Sequence, residues 1–200
     1  MDISCIILAG GKSLRLGRSK VLESIGNGTL LEWVVSYLSS FSSEIIIVTA
    51  TQQSTLPFIS YPKLRVVTDI YPGKGPLGGI YAGLTASNSF HNLVVACDMP
   101  FLNQALLGYM IQLSADFDVV IARLDDMIEP LHAIYSRDCL AAAEYLIKQG
   151  NLAVRELFSL VKVRYVEAEE INRFDPGHLS FFNINTEADL KRAEELAKVV

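Results

Sequence analysis

The sequence predicts an α/β protein, a three-layer α/β/α arrangement built around a mostly parallel sheet. Short apolar runs of strand length alternate with helical patterns along all 200 residues, the order expected of parallel strands joined by helical crossovers. Several of the runs, 3–8 and 93–96 among them, are apolar at nearly every position, as strands covered on both faces are. No repeat, low-complexity stretch or Pro/Gly/Ser-rich linker divides the chain, so one domain over 1–200 is expected.

Strands are expected at 3–8, 44–49, 64–68, 93–96, 118–122, 132–135 and 162–167. The first five read as parallel, and the direction of the last two is open. Thr29 with Glu32 three residues on is a capping box, which opens a helix through Phe41. The stretch GPLGGI from Gly75 starts another helix. Thr186 with Asp189 is a weaker box, the shorter carboxylate reaching less well, and it opens a charged last helix towards Lys198 that packs outside the sheet. The loops 9–20, 69–77 and 97–101 each follow a strand, which gathers them at the carboxyl edge where open α/β sheets bind ligands.

Composition narrows the function. The formal charge of −5 offers no general attraction for nucleic acid or anionic lipid, so an anionic substrate must be held by local donors. No apolar run reaches the roughly 18 to 20 residues that cross a bilayer, and the first apolar run is too short for a signal-peptide core. A cytoplasmic location is expected. Cys5, Cys97 and Cys139 are odd in number and scattered, which excludes a disulfide framework or a zinc site and leaves reduced, mostly buried thiols. His91, His132 and His178 never recur at metal-ligand spacing and read as satisfied polar residues.

Three strand ends carry candidate chemistry. Leu8 to Lys20 reads LAGGKSLRLGRSK, a strand that breaks into Gly10 and Gly11 and then into Lys12, Arg15, Arg18 and Lys20. Glycine backbone can approach a phosphate closely, Arg15 can grip two phosphate oxygens, and Lys20 supplies a mobile charge. On composition alone a solvated turn is equally compatible. A P-loop is excluded because the position five before Gly11 is Ile6 rather than glycine.

The second loop holds Gly73-x-Gly75-x-x-Gly78 with Asp98 beyond it, formally the fingerprint of a dinucleotide-dependent oxidoreductase. Four residues intervene between the strand and the first glycine, and Pro76 removes a backbone donor, so an NAD-dependent oxidoreductase stays only as a distant alternative. Asp69 reads either as a turn residue or as a strand-end carboxylate meeting purine or ribose. Asp98, at the end of LVVACDMP, is either a strand terminator or a ligand for Mg²⁺, which takes one or two protein carboxylates and completes its shell with phosphate and water. Glu129 opens EPLHAIY, and Asn183 and Asn185 lie in FFNINT, where turn chemistry and ligand recognition are both compatible. Arg123, Asp125 and Asp126 form a charged loop beside these, read as solvated.

In order and spacing the glycine loop resembles the signature of the molybdenum cofactor nucleotidyltransferases, and the likeness extends over nearly the whole chain. Leu16 stands where that family usually has methionine and Ser19 where it often has aspartate, and neither departure removes a phosphate donor. The resemblance implies a Rossmann-like nucleotidyltransferase fold. It also implies that Leu8, Ala9, Gly10, Gly11, Arg15, Lys20 and Asp69 meet the nucleotide, that Asp98 holds Mg²⁺, and that Glu129, Asn183 and Asn185 shape the acceptor pocket. The implied reaction moves GMP from Mg-GTP to molybdenum-molybdopterin and releases pyrophosphate, with transient contacts to other proteins of cofactor synthesis. Gly10 favours guanine over cytosine, since the related cytidylyltransferases commonly have alanine there. A non-catalytic GTP sensor is the rival from another class, and it would tolerate loss of the Asp98 charge.

Overall fold

The computed structural model describes residues 3–9, 23–40, 42–50 and 61–198. Strands β1 (Ser4–Leu8), β4 (Glu44–Thr49), β5 (Leu64–Thr68), β6 (His91–Ala96), β7 (Val119–Leu124), β8 (Met127–Ser136) and β9 (Val163–Val166) form a seven-stranded sheet in the order β5-β4-β1-β6-β8-β7-β9. Strands β2 (Ser24–Ile25) and β3 (Gly28–Thr29) form a separate antiparallel pair. The five strands expected to be parallel run in one direction. Of the two left open, β8 runs against both its neighbours while β9 is parallel to β7.

Successive residues of the central strands feed opposite cores, as the two-residue strand period requires. Cys5, Ile7, Ile45, Ile47, Leu93 and Val95 pack with helices α1 (Leu30–Leu38) and α3 (Gln104–Leu113). Ile6, Leu8, Ile46, Val48, Val94 and Tyr135 pack with α2 (Gly75–Ala86) and α4 (Cys139–Lys148) on the other face. Burying an aliphatic side chain of this kind stabilises by about 1.5–3 kcal/mol, which is why these runs carry no polar face. The short helices α5 (Val154–Leu157) and α6 (Ala168–Ile171) flank β9 in the chain. All three cysteines are buried and form no disulfide, and burial pushes the Cys5 and Cys139 thiols up to about 12.

The Thr29–Glu32 box forms with both reciprocal hydrogen bonds. Helix α1 ends at Leu38 rather than continuing to Phe41, and Ser39 and Ser40 form a turn after it. Ser39 Oγ donates to the Ser36 carbonyl at 2.8 Å and Ser40 Oγ to that of Tyr37 at 3.2 Å. Phe41 itself lies outside the described residues. The Thr186–Asp189 box, expected to be weaker, is also complete, and α7 (Glu187–Leu196) packs through Ala193 on Ile25, Leu30 and Phe101, away from the two faces of the sheet.

Two helical glycines behave oppositely. A Cβ on Gly108 of α3 would meet nothing within 4 Å, so Gly108→Ala is expected to stabilise by about 0.5–1 kcal/mol through helix propensity alone, read as a raised urea midpoint. A midpoint that falls would mean that α3 is packed more tightly there than its open surroundings indicate. On α2, a Cβ at Gly79 would stand 3.2 Å from Leu8 Cδ2, and one at Gly83 only 2.4 Å from Ile6 Cγ2. Helix α2 therefore lies directly on β1.

Candidate functional site at the carboxyl edge

Four strand ends are tied together at one edge. The Ala9 N–H donates to the Val48 carbonyl at 2.9 Å, Cys97 N–H to that of Leu8 at 3.2 Å, and Asp69 N–H to that of Thr49 at 2.8 Å. The register places Leu8 beside Val48 and Ala96, so the chain leaving β1 starts between the ends of β4 and β6. Leu8, Ala9, Asp69 and Asp98 are thus brought to one edge, whereas Gly10, Gly11, Arg15 and Lys20 lie outside the described residues. Asp69 and Asp98 follow strands three positions apart in the sheet, roughly 14 Å at ordinary inter-strand spacing. They can meet different parts of one elongated ligand but not the same atom.

Asp69 is engaged locally. Its Oδ1 accepts the Tyr71 N–H at 2.9 Å, an Asx turn, and a Cβ on Gly78 would stand 3.2 Å from either carboxylate oxygen. The fingerprint glycines serve this same turn: Gly73 and Gly75 take φ of 80° and 65°, which favours residues without a Cβ, and Gly78 lets α2 pass over Asp69. That is the geometry of a turn entering a helix, not of a strand running straight into a pyrophosphate loop.

Asp98 lies just past β6, partly buried. Its backbone carbonyl accepts the N–H of fully buried Ile184 at 3.0 Å, which brings Asn183 and Asn185 beside the end of β6. In an extended segment the residues flanking Ile184 face the other way. Asn183 is half-buried and Asn185 exposed. The Asn185 N–H also donates to Asp189 Oδ2 at 3.0 Å, so its backbone belongs to the start of α7.

Glu129 reaches the same place through an irregularity that the sequence announced only as Glu-Pro. Strand β8 begins at Met127, well before the expected 132, and its register against β7 shifts between Ile121/Ala133 and Arg123/Ile128. Pro130 falls inside the shifted stretch, where its missing N–H costs nothing. Pairing with β6 ends at Val95 opposite His132, so three residues further along each chain lead to Asp98 and Glu129. Burial raises the Glu129 pKa, the nearby charge of Asp98 raises it further, and the Leu131 N–H at 3.4 Å opposes both.

A folded-state pKa above the unfolded value means that stability is present below the unfolded pKa and lost as pH rises through the folded one. Glu129→Gln is therefore expected to raise the thermal midpoint at neutral pH, with the gain shrinking as the pH falls through the raised folded pKa and gone below the ordinary carboxylate value. A gain that is the same at acid and neutral pH would contradict this origin.

Further along the edge, Arg123, Asp125, Asp126, Arg155, Tyr165 and Glu167 line a cavity of about 560 Å³. Arg123 is not simply solvated as expected from sequence: its Nε donates to Glu167 at 2.9 Å and its guanidinium lies 4.3 Å from the Tyr165 ring centroid. Arg155, Tyr165 and Glu167 come from separate elements and carry no shared sequence signal. His132 also departs from expectation. Neither of its buried ring nitrogens bonds another residue among the described ones, whereas His178 Nε2 meets Asn172 Oδ1 at 2.7 Å.

A family model described as a MobA-like NTP transferase domain matches residues 5–167. A probable molybdenum cofactor guanylyltransferase of Pelotomaculum thermopropionicum is 36% identical over 193 residues, covering 96% of this chain and 92% of that protein. The molybdenum cofactor guanylyltransferase of Desulfosudis oleivorans is 33% identical over 198 residues, covering 98% and 96%. The crystal structure of molybdopterin-guanine dinucleotide biosynthesis protein A from Archaeoglobus fulgidus superposes with a TM-score of 0.85 at 30% identity, over 98% of this chain and 100% of that one. With strand ends converging on one carboxyl edge and likeness extending over nearly its whole length, the chain belongs to the MobA-like NTP transferase domain family.

Proposed function

We propose that this protein is a molybdenum cofactor guanylyltransferase, which transfers GMP from Mg-GTP to molybdenum-molybdopterin with release of pyrophosphate. The observation that carries the reading is the Ile184 N–H bond to the Asp98 carbonyl, which joins the strand end proposed for the phosphates to the asparagines proposed for the acceptor. Its chemistry is displacement at the α-phosphate by the terminal phosphate of the acceptor, so no protein nucleophile is needed.

The chain's own residues position and neutralise. In this reading Leu8, Ala9, Gly10 and Gly11 bind the nucleotide, Asp69 meets its base or ribose, and Arg15 and Lys20 neutralise its phosphates. Asp98 and Glu129 offer hard oxygen donors at one place, a set that suits Mg²⁺ with its preference for few carboxylates. Mg²⁺ bound there would offset charge on the α-phosphate and the leaving pyrophosphate. Asn183 and Asn185 hold the acceptor by its hydrogen-bonding edges, with Glu129 at the rim.

The two halves belong to one nucleotidyltransferase domain. No helix among the described residues is long and apolar enough to cross a membrane, and a cytoplasmic protein that hands its product directly to partners of cofactor synthesis fits this reading. The test is pyrophosphate release from purified protein with magnesium and molybdenum-loaded molybdopterin, comparing GTP with CTP. Preference for GTP with a guanine dinucleotide product is expected. Preference for CTP would move the protein to the cytidylyl branch, and no release from either would overturn the assignment.

A further inference from the structure

The stretch of β8 that carries Glu129 is held by side chains rather than by the sheet. Between the pairs Ile121/Ala133 and Arg123/Ile128, β8 advances five residues while β7 advances two, and pairing of β8 with β6 begins only at His132. Residues 129–131 therefore pair with neither neighbour, and their backbone groups need other partners. The Pro130–Leu131 peptide finds one on each side. Its carbonyl accepts the Tyr135 hydroxyl at 2.9 Å, and its N–H donates to Glu129 Oε1 at 3.4 Å.

Tyr135 is wholly buried on the α2 and α4 side of the sheet, in the same core as Ala133 and Leu131. The methyl of Ala133 leaves room for the ring to lie back along the strand. A straight strand rising about 3.3 Å per residue would carry Pro130 roughly 16 Å from Tyr135, beyond the reach of the side chain, so the bond depends on the register shift. Burial pushes the Tyr135 pKa well above its ordinary value, with the charges of Cys139 and Glu129 adding to it, and the hydroxyl stays a donor. Phenylalanine would fill the same space without that bond. Donation to a peptide carbonyl polarises the unit and strengthens its N–H as a donor, so the bonds on the two sides of the peptide support each other.

We propose that Tyr135 is a positioning residue for Glu129: its hydroxyl fixes the plane of the Pro130–Leu131 peptide, whose N–H in turn holds the Glu129 carboxylate near Asp98. The metal role of Glu129 rests on the guanylyltransferase reading of this edge, whereas the link between Tyr135 and Glu129 does not. Without the hydroxyl the peptide can turn, and the carboxylate is no longer presented to Mg²⁺ in one direction.

Tyr135→Phe keeps the ring and removes that one bond. GTP affinity of the full chain, measured by equilibrium dialysis with and without Mg²⁺, reads the consequence. Without Mg²⁺ the variant is expected to bind GTP as the wild type does, while the gain in affinity on adding Mg²⁺ falls about three- to tenfold, the scale of one hydrogen bond. In a Glu129→Ala background the same substitution is expected to have no further effect, because residues acting through one group are not additive. An unchanged gain in Tyr135→Phe, or an equal loss in both backgrounds, would reduce Tyr135 to packing.

Exchange of the Leu131 amide with solvent follows the same peptide without nucleotide or metal. It is expected to quicken about tenfold or more in Tyr135→Phe, while the amides of the paired residues 132–136 keep their wild-type rates. A rise shared by the whole strand, or none, would overturn the proposal. Should the phenylalanine variant not fold, Tyr135→Met, which also lacks the hydroxyl and adapts to irregular core space, carries both comparisons. Failure of Mg²⁺ to raise wild-type GTP affinity would count against the metal site of the guanylyltransferase reading, and Leu131 exchange would still decide the role of Tyr135.

Discussion

Asp98→Asn is expected to lower kcat by about three orders of magnitude or more, on the scale of losing a principal source of transition-state charge stabilisation, while the protein stays folded. The substitution keeps the shape of the side chain and leaves the backbone carbonyl that receives Ile184 unchanged, so the acceptor segment keeps its anchor. What is lost is a negative charge at the end of β6. Circular dichroism and a thermal midpoint close to wild type, with pyrophosphate release abolished, would match the expectation. Normal turnover in the variant would overturn the enzymatic role of Asp98 and favour a nucleotide sensor, which needs the fold but not the charge.

Gly83→Ala should be the most damaging single methyl in the described part of α2. Helix propensity favours alanine by about 1 kcal/mol, but the added carbon would lie 2.4 Å from Ile6 Cγ2 and 3.0 Å from Ile6 Cδ1. Ile6 is fully buried in β1, between β4 and β6, and has no space to retreat into. Overpacking of this kind costs about 1–3 kcal/mol, and the 2.4 Å approach puts Gly83 at the upper end, so a net loss of roughly 2 kcal/mol is expected after the propensity gain. The helix would also be pushed off β1, lifting Gly78 from Asp69 and weakening GTP binding. Urea unfolding together with GTP affinity reads both effects. Unchanged stability would mean that α2 can shift freely over β1.

Most of the sheet was legible because its information is local. Runs such as Ile45 to Val48 and Leu93 to Ala96 are apolar at every position, and only a strand covered on both faces uses that pattern economically. Capping at Thr29 and Thr186 was equally readable, since a box is closed within four residues. The end of α1 was less so: a helix through Phe41 was expected, and a turn at Ser39 and Ser40 follows Leu38 instead.

The acceptor side is where sequence reading fell short. Pro130 suggested a strand beginning after it, yet β8 runs through it because its register against β7 shifts there. His132 looked like an ordinary satisfied histidine, and nothing within a few residues of it reveals that its nitrogens bond no other residue among the described ones. Arg123 read as part of a solvated loop, although Glu167 and Tyr165, more than forty residues away, hold it.

The sequence by itself determined the α/β class, the strand segments of the sheet, the helix caps and the chain positions of Asp69, Asp98, Glu129, Asn183 and Asn185, because periodicity, capping and strand-end carboxylates are set by neighbours along the chain. Only the tertiary structure decided which of those residues meet: that β8 reverses and lays Glu129 towards Asp98, that Ile184 ties the asparagines to the same strand end, and that Asp69 stands three strands away. Those relations depend on pairing across the sheet between residues from about thirty to about ninety positions apart, and no local pattern of apolar and polar residues encodes which distant strand will supply the partner.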